Sequence, residues 1–164
     1  MKKKLYAILL ICFAVCNLQA QQISYSYHLL SNDGCTVQFA ATYVNDSPQI
    51  VVTLTSENLI FTENPTMLLK FYDDSVLELV GQQENISTKN GAIMVGYVAV
   101  PYSEKKSIAI FNINTTDIYK LRNGVSKIRI STLPTTHERK FKYDRIGLPL
   151  YEQFQTEKTK KENF

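Results

Sequence analysis

The chain has 164 residues, of which 18 are lysine or arginine and 15 are aspartate or glutamate. A chain of this length can form one domain with a substantial hydrophobic core. Three of the lysines stand at residues 2–4, so residues 21–164 hold 15 charges of each sign, and this balance excludes a generally basic protein of the kind that binds nucleic acid.

The first 20 residues have the pattern of a secretory signal peptide. The lysines at 2–4 precede an apolar run at residues 5–16, and Ala20 offers a small residue for cleavage. This run is too short to span a membrane as a helix, which needs about 20 residues. We therefore expect an exported protein (periplasmic, cell-surface or secreted) with no transmembrane helix in the mature chain. Lipidation of Cys16 is a weaker alternative, because a valine rather than a small residue precedes it.

After the signal segment, apolar and polar residues alternate with a period of two, which is typical of strands with one buried face. The segments 23–30 and 35–44 flank Asn-Asp-Gly at 32–34, a strong turn signal, and predict a hairpin. A second turn signal at residues 45–48 leads into a third predicted strand at 50–56.

The middle of the chain predicts a second hairpin and two more strands. Residues 66–81 read as a hairpin with Asp73, Asp74 and Ser75 at its tip. Strands are predicted at residues 92–102 and 107–114, with polar, exposed loops at 82–91 and 103–106. Pro101 has no N–H group, so it is expected at the end of a strand or at the edge of a sheet.

A short helix and two basic strands are predicted next. The helix lies near residues 116–123 and stops at Gly124, because glycine is the usual residue after a helix end. Strands are predicted at residues 125–132 and 138–144. Residues 151–164 are polar without a clear apolar stripe, which predicts a frayed helix or a loose tail.

These elements predict an all-β, mainly antiparallel fold, either a β-sandwich or a partial barrel of about eight or nine strands with one short helix. The segments between strands are too short for a series of helical crossovers, which excludes a doubly wound parallel sheet. The predicted organisation is a signal peptide at 1–20, a single β-rich domain at 21–150 and a polar C-terminal tail at 151–164.

The sequence offers little catalytic chemistry. If residues 32–34 make a tight two-residue loop, His28 and Cys35 lie about 13 Å apart along the hairpin, too far for proton transfer. Cys35 is then a small buried residue, and the chain outside the signal segment has no second cysteine for a disulfide. No metal-ligand spacing and no glycine-rich phosphate loop stand out, so neither a metal nor a cofactor is predicted.

The best candidates for ligand binding are the cations of the two basic strands. Residues 101–164 hold thirteen cations and seven acids, and the cations of a 125–132/138–144 hairpin would share one outward face. Phe141 and Tyr143 would then turn inward. The candidate ligand-binding residues are Lys127, Arg129, Lys140 and Lys142. They would suit an acidic glycan or a lipid headgroup, but lysines also deter aggregation at a sheet edge.

Several stretches resemble a known group of proteins. The signal exit "LQAQ", the hairpin "LLKFYDDSVLELVG", and "INTTDIYKLRNGVSKIRI" followed by "RKFKYDRIG" resemble small exported β-rich proteins of unknown function from Gram-negative gut bacteria. The resemblance implies a β-rich module without an assigned reaction. Asp74-Ser75-Val76 also looks like the O-glycosylation acceptor of some of these bacteria, which makes Ser75 a candidate modification site.

Taken together, the sequence favours a non-catalytic binding or structural module of the periplasm or cell surface, with an acidic glycan or a cell-surface protein as partner. Two alternatives stay open. One is a hydrolase whose carboxylates are brought together by the fold. The other is a protein-partner or inhibitor module that acts through an exposed strand edge.

Overall fold

The computed structural model describes residues 22–27 and 34–162. The predicted signal peptide at 1–20, its Cys16 and the histidine at position 28 lie outside the described residues.

Within these ranges the chain forms ten strands and two helices. The strands are β1 (Ile23–Tyr27), β2 (Cys35–Val44), β3 (Ser47–Ser56), β4 (Ile60–Phe61), β5 (Thr66–Phe71), β6 (Val76–Val95), β7 (Val98–Asn112), β8 (Val125–Ile130), β9 (Thr132–Leu133) and β10 (His137–Lys140). The helical elements are α1 (Thr115–Ile118), which continues as a 3₁₀ helix (Tyr119–Asn123), and α2 (Gly147–Glu162).

Eight of the strands form one sheet in the order β1-β2-β3-β7-β6-β5-β8-β10, and β4 pairs with β9. Every pairing is antiparallel. The large sheet curls into a half-barrel. The prediction of a mainly antiparallel β-fold is therefore confirmed, and the architecture is the partial barrel.

The sheet curls because one side chain in two is apolar along most strands and faces the enclosed side. In β3, for example, Ile50, Val52 and Leu54 are buried while the residues between them are half-exposed. The hairpin predicted at 66–81 is formed by β5 and the first residues of β6. Asp74 lies at its tip with φ of 65°.

The predicted short helix is confirmed as α1 and its 3₁₀ continuation. Ile118 and Leu121 are buried, so this element packs against the core with one face. It ends at Gly124, whose φ of 69° lies in the left-handed region that favours glycine.

The segment expected to be a polar tail is part of helix α2 as far as Glu162. Leu150 and Phe154 are fully buried, and the helix packs against β2 and the 3₁₀ helix. Gln153 reinforces this docking, since its Oε1 accepts the backbone N–H of Ala41 at 3.0 Å. The contact could not be recognised from the sequence, because only one large apolar residue per helical turn points inward and the resulting apolar stripe is narrow.

The two stretches predicted as polar loops, 82–91 and 103–106, are strands. They belong to β6 and β7, which pair continuously from a bulge at Gln83/Asn85 out to Val95 and Val98. A two-residue turn, Gly96–Tyr97, joins the strands, and glycine occupies its first position with φ of 64°. Residues 92–102, predicted as one strand, therefore contain the turn of a long hairpin.

We call residues 86–104 the arm, because they extend beyond the neighbouring strands. The pairing of β3 with β7 ends at Lys105, and the pairing of β5 with β6 ends at Val80. Ten residues of β6 give the arm a length of about 30 Å. The sequence does not reveal such an element because a ribbon with two solvent-facing sides needs no alternation of polar and apolar residues.

Candidate functional site

The predicted basic residues come together only in part. In the pairing of β8 with β10, Lys140 lies opposite Lys127, whereas Arg129 lies opposite Glu138. Lys142 follows the end of β10, and its Nζ stands 5.4 Å from the centre of the Tyr143 ring.

The prediction that Phe141 and Tyr143 both turn inward is half right. Phe141 packs against the core, but Tyr143 is 70% exposed. The strand β10 ends at Lys140, so the alternation of sides that the prediction assumed does not continue as far as Tyr143.

A further lysine from β5 joins this surface. Lys70 lies opposite Lys127 in the β5–β8 pairing, so three lysines stand in one row across β5, β8 and β10. We call Lys70, Lys127, Arg129 and Lys140 the basic face. Like charges directly opposite each other on neighbouring strands destabilise a sheet unless counter-charges compensate them.

Two carboxylates supply part of that compensation. Glu138 contacts Lys127 Nζ at 2.7 Å with Oε1 and Arg129 Nη2 at 2.8 Å with Oε2. The hydrogen bonds from Lys127 and Arg129 lower the pKa of the Glu138 carboxyl group. Asp74 lies 2.7 Å from Lys70 Nζ. Glu78 of β6 is a third acid on the same side of the sheet, in the row that contains Arg129, so four cations against three acids leave a small excess of positive charge.

The candidate modification residue Ser75 is exposed at the tip of the β5–β6 hairpin. Its hydroxyl donates to Asp73 Oδ1 at 2.6 Å, and Asp73 Oδ2 accepts Asn123 Nδ2 at 2.6 Å. The hydrogen bonds from Ser75 lower the pKa of Asp73. The hydroxyl is thus accessible from solvent but already engaged within the turn.

A buried polar cluster forms around Cys35, a grouping absent from the sequence-based predictions. Its Sγ lies 3.6 Å from Nδ1 of His137, while the Tyr25 hydroxyl lies 2.9 Å from Nε2 of the same ring. All three side chains are buried. The cluster joins β1 and β2, at one end of the curled sheet, to β10 at the other end.

The β1–β2 register also differs from the expected tight turn. Tyr27, rather than Asn32, lies opposite Cys35, so the register does not fit a two-residue loop at Asp33–Gly34. The true neighbour, His137, is 102 residues away in the chain, and no local pattern announces such a contact.

The electrostatics of this cluster keep it neutral. Burial raises the pKa of the Cys35 thiol to about 11, against a smaller lowering effect of Arg139. Burial and then Arg139 lower the pKa of His137, and burial raises that of Tyr25. A thiol with a raised pKa is a poor nucleophile. The arrangement therefore serves as a hydrogen-bonded link between the two ends of the sheet.

This link predicts a pH-dependent stability. An unfolded histidine titrates near pH 6.5, and His137 titrates lower in the folded protein, so the unfolded chain binds the extra proton first as the pH falls. The stabilisation is fully present above about pH 6.5 and is lost below it by at most about 1.4 kcal/mol per pH unit, down to the folded pKa.

Urea denaturation at about pH 7.5 and about pH 5 measures the free energy of unfolding at each pH. Between these two pH values it should fall more for the wild type than for His137→Gln, whose neutral amide can still contact Tyr25. The two proteins share all other titrating groups, so the difference in how steeply their free energies of unfolding depend on pH is due to His137. Parallel pH profiles would contradict this role.

The arm carries seven of the fifteen large hydrophobic side chains that are exposed among the described residues. We call residues 92–101 its tip; this stretch contains no charged residue on either strand. Six large side chains of the tip are between 40% and 103% exposed: Ile93, Met94, Val95, Tyr97, Val98 and Val100.

Both faces of the tip are apolar. Cross-strand partners share a face, so Val95 with Val98 and Ile93 with Val100 lie on one side, and Met94 with Ala99 lies on the other. Toward the sheet, Tyr102 lies across Gly91, where an added Cβ would come within 2.6 Å of its ring. The first charges, Lys89 and Glu104, face each other below this point.

Comparison of the chain with protein-family models, with curated proteins and with solved structures finds no match. In the part of the chain that the structure describes, no three histidine, cysteine or acidic side chains are grouped as metal ligands. No helix in this part is long and apolar enough to cross a membrane. The basic face and the arm are therefore the features from which a function can be inferred.

Proposed function

We propose that the protein is an exported, non-catalytic binding module and that the arm is its binding element. The observation that carries this proposal is the charge-free, solvent-exposed tip, which presents apolar side chains on both faces. The partner is a protein that contacts the tip.

The size of the exposed surface supports a specific interface. The six large apolar side chains of the tip are each at least 40% exposed and adjacent on one ribbon, so together they present on the order of a few hundred Å² of apolar surface. Standard protein interfaces bury about 800 Å² on each partner. Contiguous apolar patches of this size typically mark interaction sites on folded proteins.

A protein partner suits the arm better than a lipid bilayer. No third strand among the described residues pairs with the arm, so its outer edges carry unpaired backbone N–H and C=O groups. Such groups cost several kcal/mol each in hydrocarbon, where water cannot satisfy them. A protein can both cover the side chains and bond to these edges.

Gel filtration of material released from the producing cells without detergent tests this proposal, because it measures the size of the complex that contains the protein. We expect wild type to elute with its partner from gel filtration and the double variant Ile93→Ser, Val100→Ser to elute as a free monomer. Val44→Ser removes a similarly exposed valine from the body of the protein and should behave as wild type. Identical elution of wild type and the double variant would contradict the proposal.

A second candidate ligand is an acidic glycan held by the basic face. It is favoured by the row of lysines 70, 127 and 140, whose mutual repulsion a bound anion would relieve. The neighbouring Glu138 weakens this site, because it already occupies Lys127 and Arg129.

We predict that serine replacement of Lys127, Arg129, Lys140 and Lys142 together abolishes glycan binding and leaves the thermal midpoint nearly unchanged. The reason is that exposed ion pairs add little to stability, whereas charge drives binding to an anion. Binding to arrays of acidic and neutral glycans at two salt concentrations measures both effects. Binding that is insensitive to salt or to the four substitutions would exclude these four residues as the site.

A further inference from the structure

We infer that the arm binds a second copy of this chain by pairing the outer edge of β6 with the same edge of its partner. This inference rests on the proposed function of the arm and names its partner. It follows from which backbone groups point outward, from a proline on one edge, and from a self-complementary order of side-chain sizes.

The direction of each backbone group follows from the turn. In a hairpin with a two-residue loop, the residues that flank the loop exchange both hydrogen bonds, and hydrogen-bonded and non-hydrogen-bonded pairs then alternate. Val95–Val98 and Ile93–Val100 are therefore bonded to each other. The N–H groups of Met94 and Ala92 point outward from β6, as that of Ala99 does from β7.

The two outer edges of the arm are not equivalent. Pro101 lies opposite Ala92, in a position whose N–H group would point outward from β7, so this edge lacks a donor. Proline on an edge strand is a common obstacle to pairing with another chain. The β6 edge keeps its donors at positions 90, 92 and 94, and it is the edge open to a new strand.

A two-fold axis beside Ile93 would place this edge against the same edge of a second copy. When two β6 strands pair antiparallel with Ile93 opposite Ile93 of the second copy, Ala92 lies opposite Met94 and Gly91 lies opposite Val95. On either side of the central Ile93 pair each large side chain meets a small one, and residues 91–95 bring no charge into the interface. Beyond these pairs Asn90 lies opposite Gly96, and Lys89 then comes beside Tyr97 of the turn, which suits a contact between a cation and an aromatic ring.

This register predicts a specific cross-link. Opposed residues in a non-hydrogen-bonded pair have Cα atoms about 4.5 Å apart, within the range of a disulfide. Ile93→Cys should therefore form a disulfide-linked dimer under mild oxidation. Val100→Cys lies on the same face of the same arm, but its two copies stand about 14 Å apart across three strand spacings and should not cross-link. Cys35 is buried and does not compete.

Proline substitutions test the choice of edge. Sedimentation velocity of the exported chain at about 100 μM should show a dimer that Ala92→Pro weakens at least about tenfold. Ala99→Pro removes an outward N–H from β7 and should leave the dimer intact. Circular dichroism of each variant verifies that it is folded.

A wild type that stays monomeric, or cysteines at 93 and 100 that cross-link equally, would overturn the inference. Equal weakening of the dimer by Ala92→Pro and Ala99→Pro would also overturn it. A monomeric wild type that still elutes from cells in a larger particle would refute only self-pairing, because the arm would then bind a different protein.

Discussion

Replacing Phe154 by alanine is expected to lower the free energy of unfolding by about 3–5 kcal/mol. Phe154 is fully buried, and its ring meets Tyr43 edge-on with 5.7 Å between the ring centres. Its removal deletes the main apolar contact of α2 and leaves a cavity under the helix. Urea denaturation followed by circular dichroism measures the change.

The matched control is Thr156→Ala, on the exposed side of the same helix. Its hydroxyl bonds only the Glu152 carbonyl one turn earlier, so the change should stay within about 0.5 kcal/mol. If Phe154→Ala were as mild as the control, α2 would be peripheral to the domain and the predicted polar tail would be the better description.

Replacing Asp144 by alanine is expected to cost about 2–4 kcal/mol, because one carboxylate serves four backbone N–H groups. Oδ1 accepts from Ile146 at 3.1 Å, Gly147 at 2.8 Å and, across to the start of β8, Val125 at 2.9 Å. Oδ2 accepts from Leu148 at 2.7 Å. The side chain thus caps α2 and ties it to the sheet.

Asp144→Asn provides the graded comparison. It keeps one carbonyl oxygen of the same geometry but loses the charge and the second acceptor. Its free energy of unfolding should therefore lie between those of wild type and Asp144→Ala. Thermal and urea denaturation of the three proteins measure the order. Equal and negligible losses for both variants would show that water replaces the cap without cost.

Local chemistry made part of this fold predictable. The hairpin at residues 66–81 and the helix at 116–123 were recognisable because Asp-Asp-Ser and Gly124 satisfy backbone conformations that few other residues accept. The strands with one buried face were recognisable from their two-residue alternation. These signals depend only on neighbouring residues, which a sequence displays directly.

The remaining features depend on contacts that a sequence does not display. Asp144 was assigned to a strand because the start of α2 at Gly147 was not recognised, and because the remote N–H partner of its carboxylate, Val125, comes close only in the folded chain. Lys70 joins the basic face through the β5–β8 pairing, which brings together strands more than 50 residues apart. The arm was missed because its polar half resembles a loop, although its backbone is fully paired between the two strands.

In the candidate site, too, the features that depend on local alternation were predictable and those that depend on strand register were not. Lys127, Arg129 and Lys140 were placed on one face by alternation alone, and the structure confirms that they share it. The position of Glu138 opposite Arg129 depends on the register between two strands, which alternation does not fix. The apolar tip was visible in the sequence as a strand, but its exposure on both faces was not.

The measurement that tests the central proposal most directly is photo-crosslinking in the producing cells, with a benzophenone-bearing amino acid at position 97 and, separately, at position 143. Tyr97 at the tip is fully exposed, and Tyr143 on the body is 70% exposed, so both positions are accessible. We predict one discrete adduct at position 97, of twice the chain's mass, and none at position 143. No adduct at 97, or equal adducts at both positions, would contradict the arm as the binding element.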